Sequence, residues 1–237
     1  MLKKSASCLA LVVVFALGAV AARAQSDDMK FEVGGQFSVL RVPQPIVTVT
    51  TLPCIVAPCP FTSVAKQNRA TNYGFGGRFG YRLSEHFTLE GEGNFFPHDG
   101  VLDAGRKIQG FFGVKAGKRF EKIGVFAKAR PGFVRYSRGD YREPGGACVA
   151  IFPQPIGCFQ ALGETRFAAD LGGVFEYYPT KRTIIRFDAG DTVVRLPARN
   201  VAAFQTNTAS FLSLVVVPAP AETRNHFQAS AGFGFRF

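Results

Sequence analysis

Beyond its first two dozen residues this sequence has almost no helical periodicity, and no apolar run long enough to cross a membrane as a helix. The one uninterrupted apolar stretch, "CLALVVVFALGAVAA", is N-terminal. It follows Lys3 and Lys4 and leads to Ala22-Arg23-Ala24, an A-x-A cleavage site before Gln25. That order reads as a cleaved secretory signal over residues 1–24, in preference to an anchor, for which the run is short. Histidine is scarce, with three residues, and none has serine two positions later. Basic residues are scattered with no run of four, which argues against a dedicated polyanion groove. No nucleic-acid partner is expected of an exported chain.

Residues 25–237 form one expected domain. Without Lys3, Lys4 and Arg23 the chain keeps 25 of its 28 Lys and Arg against 17 Asp and Glu, a formal charge of +8. On an exported protein this balance points to an anionic surface such as lipopolysaccharide. Cys8 belongs to the signal. Cys54, Cys59, Cys148 and Cys158 remain, an even number in an oxidising compartment, which suggests disulfides. The close spacings favour Cys54–Cys59 and Cys148–Cys158, while bridges between the two stretches stay open. No His or carboxylate lies within either pair, so no metal site is expected.

Alternation replaces helical spacing. Phe31, Val33, Gly35, Phe37 and Val39 oppose Glu32, Gly34, Gln36 and Ser38, and "NYGFGGRFGY" and "FTLEGEGNF" repeat the pattern. Segments 107–120, 123–136, 166–178, 183–194 and 225–237 continue it, which gives eight candidate strands. Each is at or slightly above the length a tilted strand needs to cross a bilayer. The joints alternate strictly. Residues 83–86, 121–122 and 179–182 are short connections, whereas 41–70, 97–106, 138–165 and 196–223 are long. Short turns on one side and long loops on the other are the layout of an outer-membrane barrel, and an even strand number leaves both termini in the periplasm.

A soluble up-and-down barrel would also alternate, with its apolar face inside. Three features favour the membrane instead. Aromatics sit near strand ends (Phe31, Tyr81, Phe87, Phe120, Tyr177, Phe237), as an interfacial girdle requires. The loops alternate in length, and the last strand runs to a terminal phenylalanine. With Ala229, Ala231, Phe233, Phe235 and Phe237 on one side of that strand, the chain resembles the small eight-stranded outer-membrane β-barrel family, of the OmpA transmembrane-domain and OmpX type, over residues 27–237. The resemblance implies an all-β, eight-stranded antiparallel transmembrane barrel in a Gram-negative outer membrane. It also implies that Phe233, Phe235 and Phe237 form a C-terminal signal read by the barrel-assembly machinery. No peptidoglycan-binding domain follows the barrel, so no cell-wall tether is implied.

The polar face supplies six acids (Glu32, Glu90, Glu92, Asp170, Glu176, Asp188) and seven bases (Arg78, Lys115, Arg119, Lys128, Arg130, Arg186, Arg236). The interior of an eight-stranded barrel only just holds side chains, so these charges must pair. The expectation is a plug of ion pairs, with Glu90 and Glu92 facing Lys115 or Lys128 and Arg130 from neighbouring strands. The same cluster read functionally is an ion-conducting constriction. Glu90 and Glu92 also have the spacing of an acid–base pair, but seven nearby bases make ion pairing the better reading. The H-x-S pair of deacylase barrels is missing, since Thr88, Gly100 and Gln228 follow His86, His98 and His226. "GFGGRFG" is not a dinucleotide fingerprint, because Phe79 takes a glycine position and a turn and strand follow. Its glycines are expected on the lumen face, relieving crowding.

Pro131-Gly132 and Gly190-Asp191 interrupt two strands. A bulge is expected near Pro131, leaving open whether Phe133 and Arg135 or Val134 and Tyr136 face lipid. Asp191 calls for a bulge or a place at the outer interface. Loops 41–70 and 196–223 are too rich in Val, Thr and Pro for solvated coil, so ordered strand extensions closed by disulfides are expected, either as a partner site or as a cap on the barrel mouth. The sequence therefore points to a non-enzymatic structural or surface-interaction barrel without a cofactor. A narrow pore is the alternative and a lipid-modifying enzyme the third reading.

Overall fold

The computed structural model describes residues 29–51, 61–100, 104–143, 156–206 and 212–237. Ten strands follow one another: β1 (Phe31–Thr51), β2 (Phe61–Arg82), β3 (Phe87–Phe96), β4 (Lys107–Arg119), β5 (Ile123–Arg142), β6 (Gln160–Tyr177), β7 (Thr183–Leu196), β8 (Arg199–Thr206), β9 (Leu212–Ala219) and β10 (Glu222–Arg236). Eight of them, β1–β7 and β10, form an antiparallel barrel that closes where β10 pairs with β1. At the seam Phe31 N donates to Phe237 O at 2.9 Å, and Phe237 N donates to Phe31 O at 3.0 Å.

The short turns have local causes. Ser84 Oγ accepts from the amides of His86 and Phe87 at 3.3 and 3.2 Å. Thr180 Oγ1 accepts from those of Arg182 and Thr183 at 3.2 and 3.1 Å. Each hydroxyl stands in for a backbone acceptor and reverses the chain within four residues.

The register fixes the barrel's shape. From Phe31, paired neighbours lead through Tyr81, Leu89, Val114, Ala129, Leu171, Asp191 and Phe227, and the circuit returns to β1 at Arg41, ten residues from its start. An offset of this size over eight strands tilts them by about 40° to the barrel axis. The interior of such a barrel is filled by side chains alone.

Every residue of that circuit points outward, and the polarity is inverted relative to a soluble protein. Phe37, Phe75, Phe112, Phe167, Phe187 and Phe235 are exposed, whereas Glu90, Lys115, Arg130, Glu176 and Arg186 are buried. Such a surface is stable only against hydrocarbon. Near the short turns Phe31 lies 5.1 Å from Tyr81 and 6.0 Å from Phe237, ring centre to ring centre. Tyr73, Phe75, Phe133, Phe167 and Phe227 mark the other end of the outer band. The chain is thus a transmembrane barrel of the outer-membrane type.

Several local expectations are settled by the register. The strand extension expected within 41–70 is present, with β1 and β2 paired out to Thr51 and Phe61, whereas 138–165 is not wholly loop, since β5 and β6 stay paired out to Arg142 and Gln160. No bulge occurs at Pro131, since the β5–β6 register is continuous from Ile123 to Tyr136 and shifts only between Tyr136 and Asp140. Phe133 and Arg135 accordingly face out, and Val134 and Tyr136 are buried. Proline is accommodated because only a ladder hydrogen bond is lost there. No shift occurs at Gly190 or Asp191, and Asp191 faces outward between Leu171 and Phe227. Lastly, Gly74, Gly76 and Gly80 face the lumen with Arg78 as expected, while Gly77 faces out with Phe75 and Phe79. A Cβ on inward Gly113 would lie 2.6 Å from Arg130 Cα, whereas outward Gly77 has nothing nearer than 3.7 Å.

The long segment between β7 and β10 holds the β8–β9 hairpin, strand being expected within 196–223 but not this pairing. Ala203, Val215 and Val217 form its own small apolar cluster with Val201. Thr48–Thr50 of β1 pair in parallel with Phe204–Thr206 of β8. At its other end Asn200 N donates to Asp140 Oδ1 at 3.1 Å, and Asn200 Nδ2 donates to Tyr141 O at 3.0 Å on β5. Since β1 and β5 lie on opposite walls, the hairpin reaches across the long-loop mouth.

Candidate functional site: the charged lumen

Alternation brings one polar side chain to the lumen every second residue, and tilt decides which of them meet. Beginning at the short-turn end, Glu32 on β1 accepts from Arg119 Nη2 at 2.7 Å and lies 3.2 Å from Arg236 Nε. Tyr178, just past β6, donates to Glu176 Oε2 at 2.7 Å and accepts from Arg119 Nε at 3.0 Å. Arg236 lies over the Tyr178 ring at 3.9 Å. Arg119 is the least buried of the predicted lumen charges, and Arg78 reaches Gln36 Oε1 at 3.4 Å.

The next level is the centre of the plug. Lys115 Nζ stands 2.6 Å from Glu176, 3.2 Å from Glu32 and 3.2 Å from Glu90. Glu90 also receives Arg186 Nη1, with Nη2 at 3.0 Å from its second oxygen. Arg186 turns its remaining donors to Asp188, at 2.8 Å each. Above it Arg130 links Glu92 at 2.7 Å, Asp170 at 2.5 Å and Glu90 at 3.4 Å. Lys128 lies 3.1 Å from Asp170 and 3.6 Å from Asp188.

All thirteen residues of the polar-face reading are thus placed in or at the rim of one lumen. Their partners differ from those expected. Glu90 does meet Lys115 and Arg130, but its bidentate partner, Arg186, comes from the opposite wall. Lys128 pairs with neither Glu90 nor Glu92 at this geometry.

The layer beyond is placed on the polar face by alternation but not counted among the site residues. Asn94 donates to Glu92 at 2.7 Å and accepts from Gln36 at 2.9 Å, and Ser38 and Ser230 share a 2.9 Å hydrogen bond. Continuing the alternation from Glu32 and Glu92 finds these residues, which carry no charge to attract notice. Higher still Gln109, Thr192 and His226 are buried, and their side-chain polar atoms have no protein partner among the described residues. Lys107 donates to Gly105 O at 3.0 Å. An apolar layer of Phe111, Val134, Tyr136, Ala168, Val194 and Leu196 shares this end of the lumen.

Chemically the network offers fixed charges, each with a counter-charge within 4 Å except Arg78, which among the described residues reaches only Gln36. Among the described residues no three His, Cys, Asp or Glu side chains are grouped to hold a metal ion. His86 and His98 are exposed, away from the buried His226. Cys54, Cys59 and Cys148 lie outside the described residues, as do residues 1–24. Cys158, in the 3₁₀ turn Ile156–Cys158, is not a free thiol.

No protein-family model matches the chain, and no curated protein does. Solved structures are similar at low identity. Neisserial surface protein A is 10% identical with a TM-score of 0.49, covering 87% of this chain and 97% of its own. OprG of Pseudomonas aeruginosa is 10% identical with a TM-score of 0.41, covering 88% and 95%. The outer membrane protease OmpT of Escherichia coli is 9% identical with a TM-score of 0.41, covering 91% and 99%. Likeness at this level says nothing about activity. The barrel assignment rests on the closed register and the inverted polarity.

Proposed function

We propose that this outer-membrane barrel is a non-enzymatic structural or surface-interaction protein whose lumen is plugged. One observation carries the reading: Lys115, Arg130 and Arg186 are buried at the lumen centre, and every one of them is tied to two or more carboxylates. Breaking such a network leaves an uncompensated buried charge, which typically costs about 3–5 kcal/mol, so thermal opening of a pore is rare. Function then falls to the long-loop end. There the paired extensions of β1 and β2 and the β8–β9 hairpin support the reading of a surface for an extracellular partner at the loops 41–70 and 196–223. Loop disulfides Cys54–Cys59 and Cys148–Cys158 would hold that surface, and the N-terminal signal would export the chain to the assembly machinery.

A second reading, a narrow pore for ions or small solutes, is favoured by the buried and unpartnered polar atoms of Gln109, Thr192 and His226 above the plug. Planar-bilayer conductance separates the two, with heat-modifiable gel migration as the check on folding. A folded sample that stays silent supports the plug. Reproducible openings refute it. Catalysis on lipid A would appear as a mass change in lipid A from cells expressing the protein, and none is expected.

A further inference from the structure

Asp191 serves neither the plug nor the hairpin. It points out of β7 in the register row Leu171–Asp191–Phe227–Arg41, and both Asp191 and Arg41 are exposed. Among the described residues neither makes an ion pair or a side-chain hydrogen bond. Within one copy Phe227 stands between them on β10 and keeps their backbones about 10 Å apart.

The register also gives their depth. Each residue rises about 2.5 Å along the axis of a barrel so tilted, and the circuit from Phe31 to Arg41 climbs ten residues in eight steps. Asp191 is six steps along, so it stands about 19 Å above Phe31, and Arg41 stands about 25 Å above it. The apolar band of an outer-membrane barrel is about 25 Å tall. Arg41 is therefore at the hydrocarbon boundary on the long-loop side, whereas Asp191 lies inside the band. Among the described residues it is the only acid that the barrel strands turn outward there. Ionisable side chains within a membrane are rare and almost always meet a partner of opposite sign. With none in its own copy, Asp191 needs a cation presented at this depth by a second molecule.

Another copy of the chain supplies that cation. Asp191 and Arg41 lie one strand to either side of Phe227. A two-fold axis parallel to the barrel axis and beside Phe227 exchanges the two flanks and leaves every height unchanged, as two copies inserted in the same orientation require. Each Asp191 then faces an Arg41. The remaining offset is about 6 Å in height. An extended arginine spans it with its apolar stem in hydrocarbon. The surface between the charges suits close approach. Ala229 lies between Val39 and Ala189, and Ala231 follows on β10. Small residues let two membrane-embedded surfaces pack closely, which matters where lipid is as apolar as the protein.

We propose that the outward faces of β7, β10 and β1 form the interface of a homodimer within the membrane, with Phe227 beside the two-fold axis and an Asp191–Arg41 ion pair on each side of it. The interface rests on the outer face of the barrel lying in hydrocarbon, and it is independent of whether the lumen conducts.

The test is sedimentation equilibrium of the folded full chain in density-matched neutral detergent. Wild type is expected to associate reversibly as a dimer. Asp191→Asn and Arg41→Gln should each weaken that dimer by about tenfold. Arg135→Gln makes the same charge change as Arg41→Gln, but on β5, on the opposite wall, and should leave the dimer as it is. Charge reversal gives a sharper arm. Asp191→Arg alone and Arg41→Asp alone should each stay monomeric, and an equal mixture of the two should form a heterodimer, because every facing pair is then of opposite sign. Should the reversed variants not fold, the neutral ones still decide. A monomeric wild type, a larger ring, an Asp191→Asn variant that dimerises like wild type, or folded reversed variants that ignore each other overturns the proposal. Heat-modifiable migration on the same samples reports on the barrel separately. Samples that fail it speak against the barrel reading, and samples that pass it without associating speak against the interface alone.

Discussion

Glu90 on β3 and Arg186 on β7 stand on opposite walls of the barrel, yet Arg186 Nη2 lies 3.0 Å from Glu90 Oε2. Their strands are four places apart in an eight-stranded ring. Each long side chain spans about half of the lumen, so the pair ties together two walls that share no backbone hydrogen bond.

Breaking that pair should cost more than losing it whole. Arg186→Gln leaves Glu90 and Asp188 short of a counter-charge, and a loss of about 3–5 kcal/mol is expected. The double variant Glu90→Gln, Arg186→Gln should recover part of this. The urea midpoint of heat-modifiable migration in detergent measures both, and a double variant worse than either single would show that the two residues act separately.

Gly113 should tolerate no side chain. A Cβ there would fall 2.6 Å from Arg130 Cα, on backbone that cannot yield. Gly113→Val is expected to abolish refolding, whereas Gly77→Val, on the open outer face, should refold with yield near wild type.

Charge on the outer face should be penalised by depth. Ala231→Arg places a cation near the middle of the apolar band, and about 2–4 kcal/mol of destabilisation is expected. Arg41→Ala, at the boundary, should change stability by about 1 kcal/mol or less. Unfolding titrations in lipid vesicles compare the two, and equal costs would place the membrane elsewhere on the barrel.

The hairpin should loosen independently of the barrel. Asn200→Ala removes the bond to Tyr141 O, and Asp140→Ala removes the bond to the Asn200 amide. Faster amide exchange over β8 and β9 is expected in either variant, with exchange in β3 and β4 unchanged.

Much of this architecture was legible from alternation. Inward Glu32 and outward Phe31 differ by one residue, and that parity holds along every barrel strand except where β5 shifts between Tyr136 and Asp140. The partners in the lumen were not legible, because they depend on how far strands are staggered. Glu90 looks from sequence to be a neighbour of Lys115, and it is, but nothing in the chain between residues 90 and 186 announces their meeting. Pro131 misled for a different reason. It signals a missing donor, and an outward-facing proline in a barrel strand can lack one without shifting the register. Phe111, Val134 and Tyr136 show the limit of polarity as a guide, since apolar side chains also fill the upper lumen where no charge requires a partner. The β8–β9 hairpin lay within a stretch whose Val and Pro content spoke for order without specifying pairing.

The ten-residue stagger of the barrel has a consequence for how its seam is proofread. Backbone hydrogen bonds between β1 and β10 are nearly indifferent to a slip of two residues, which keeps every side chain on its own face. The luminal charges are not indifferent. A two-residue slip would draw Arg236 away from Glu32 and move β10 relative to walls already locked by Arg130, Lys115 and Arg186. The ion pairs thus act as a checksum on closure, rejecting registers that the ladder alone would accept.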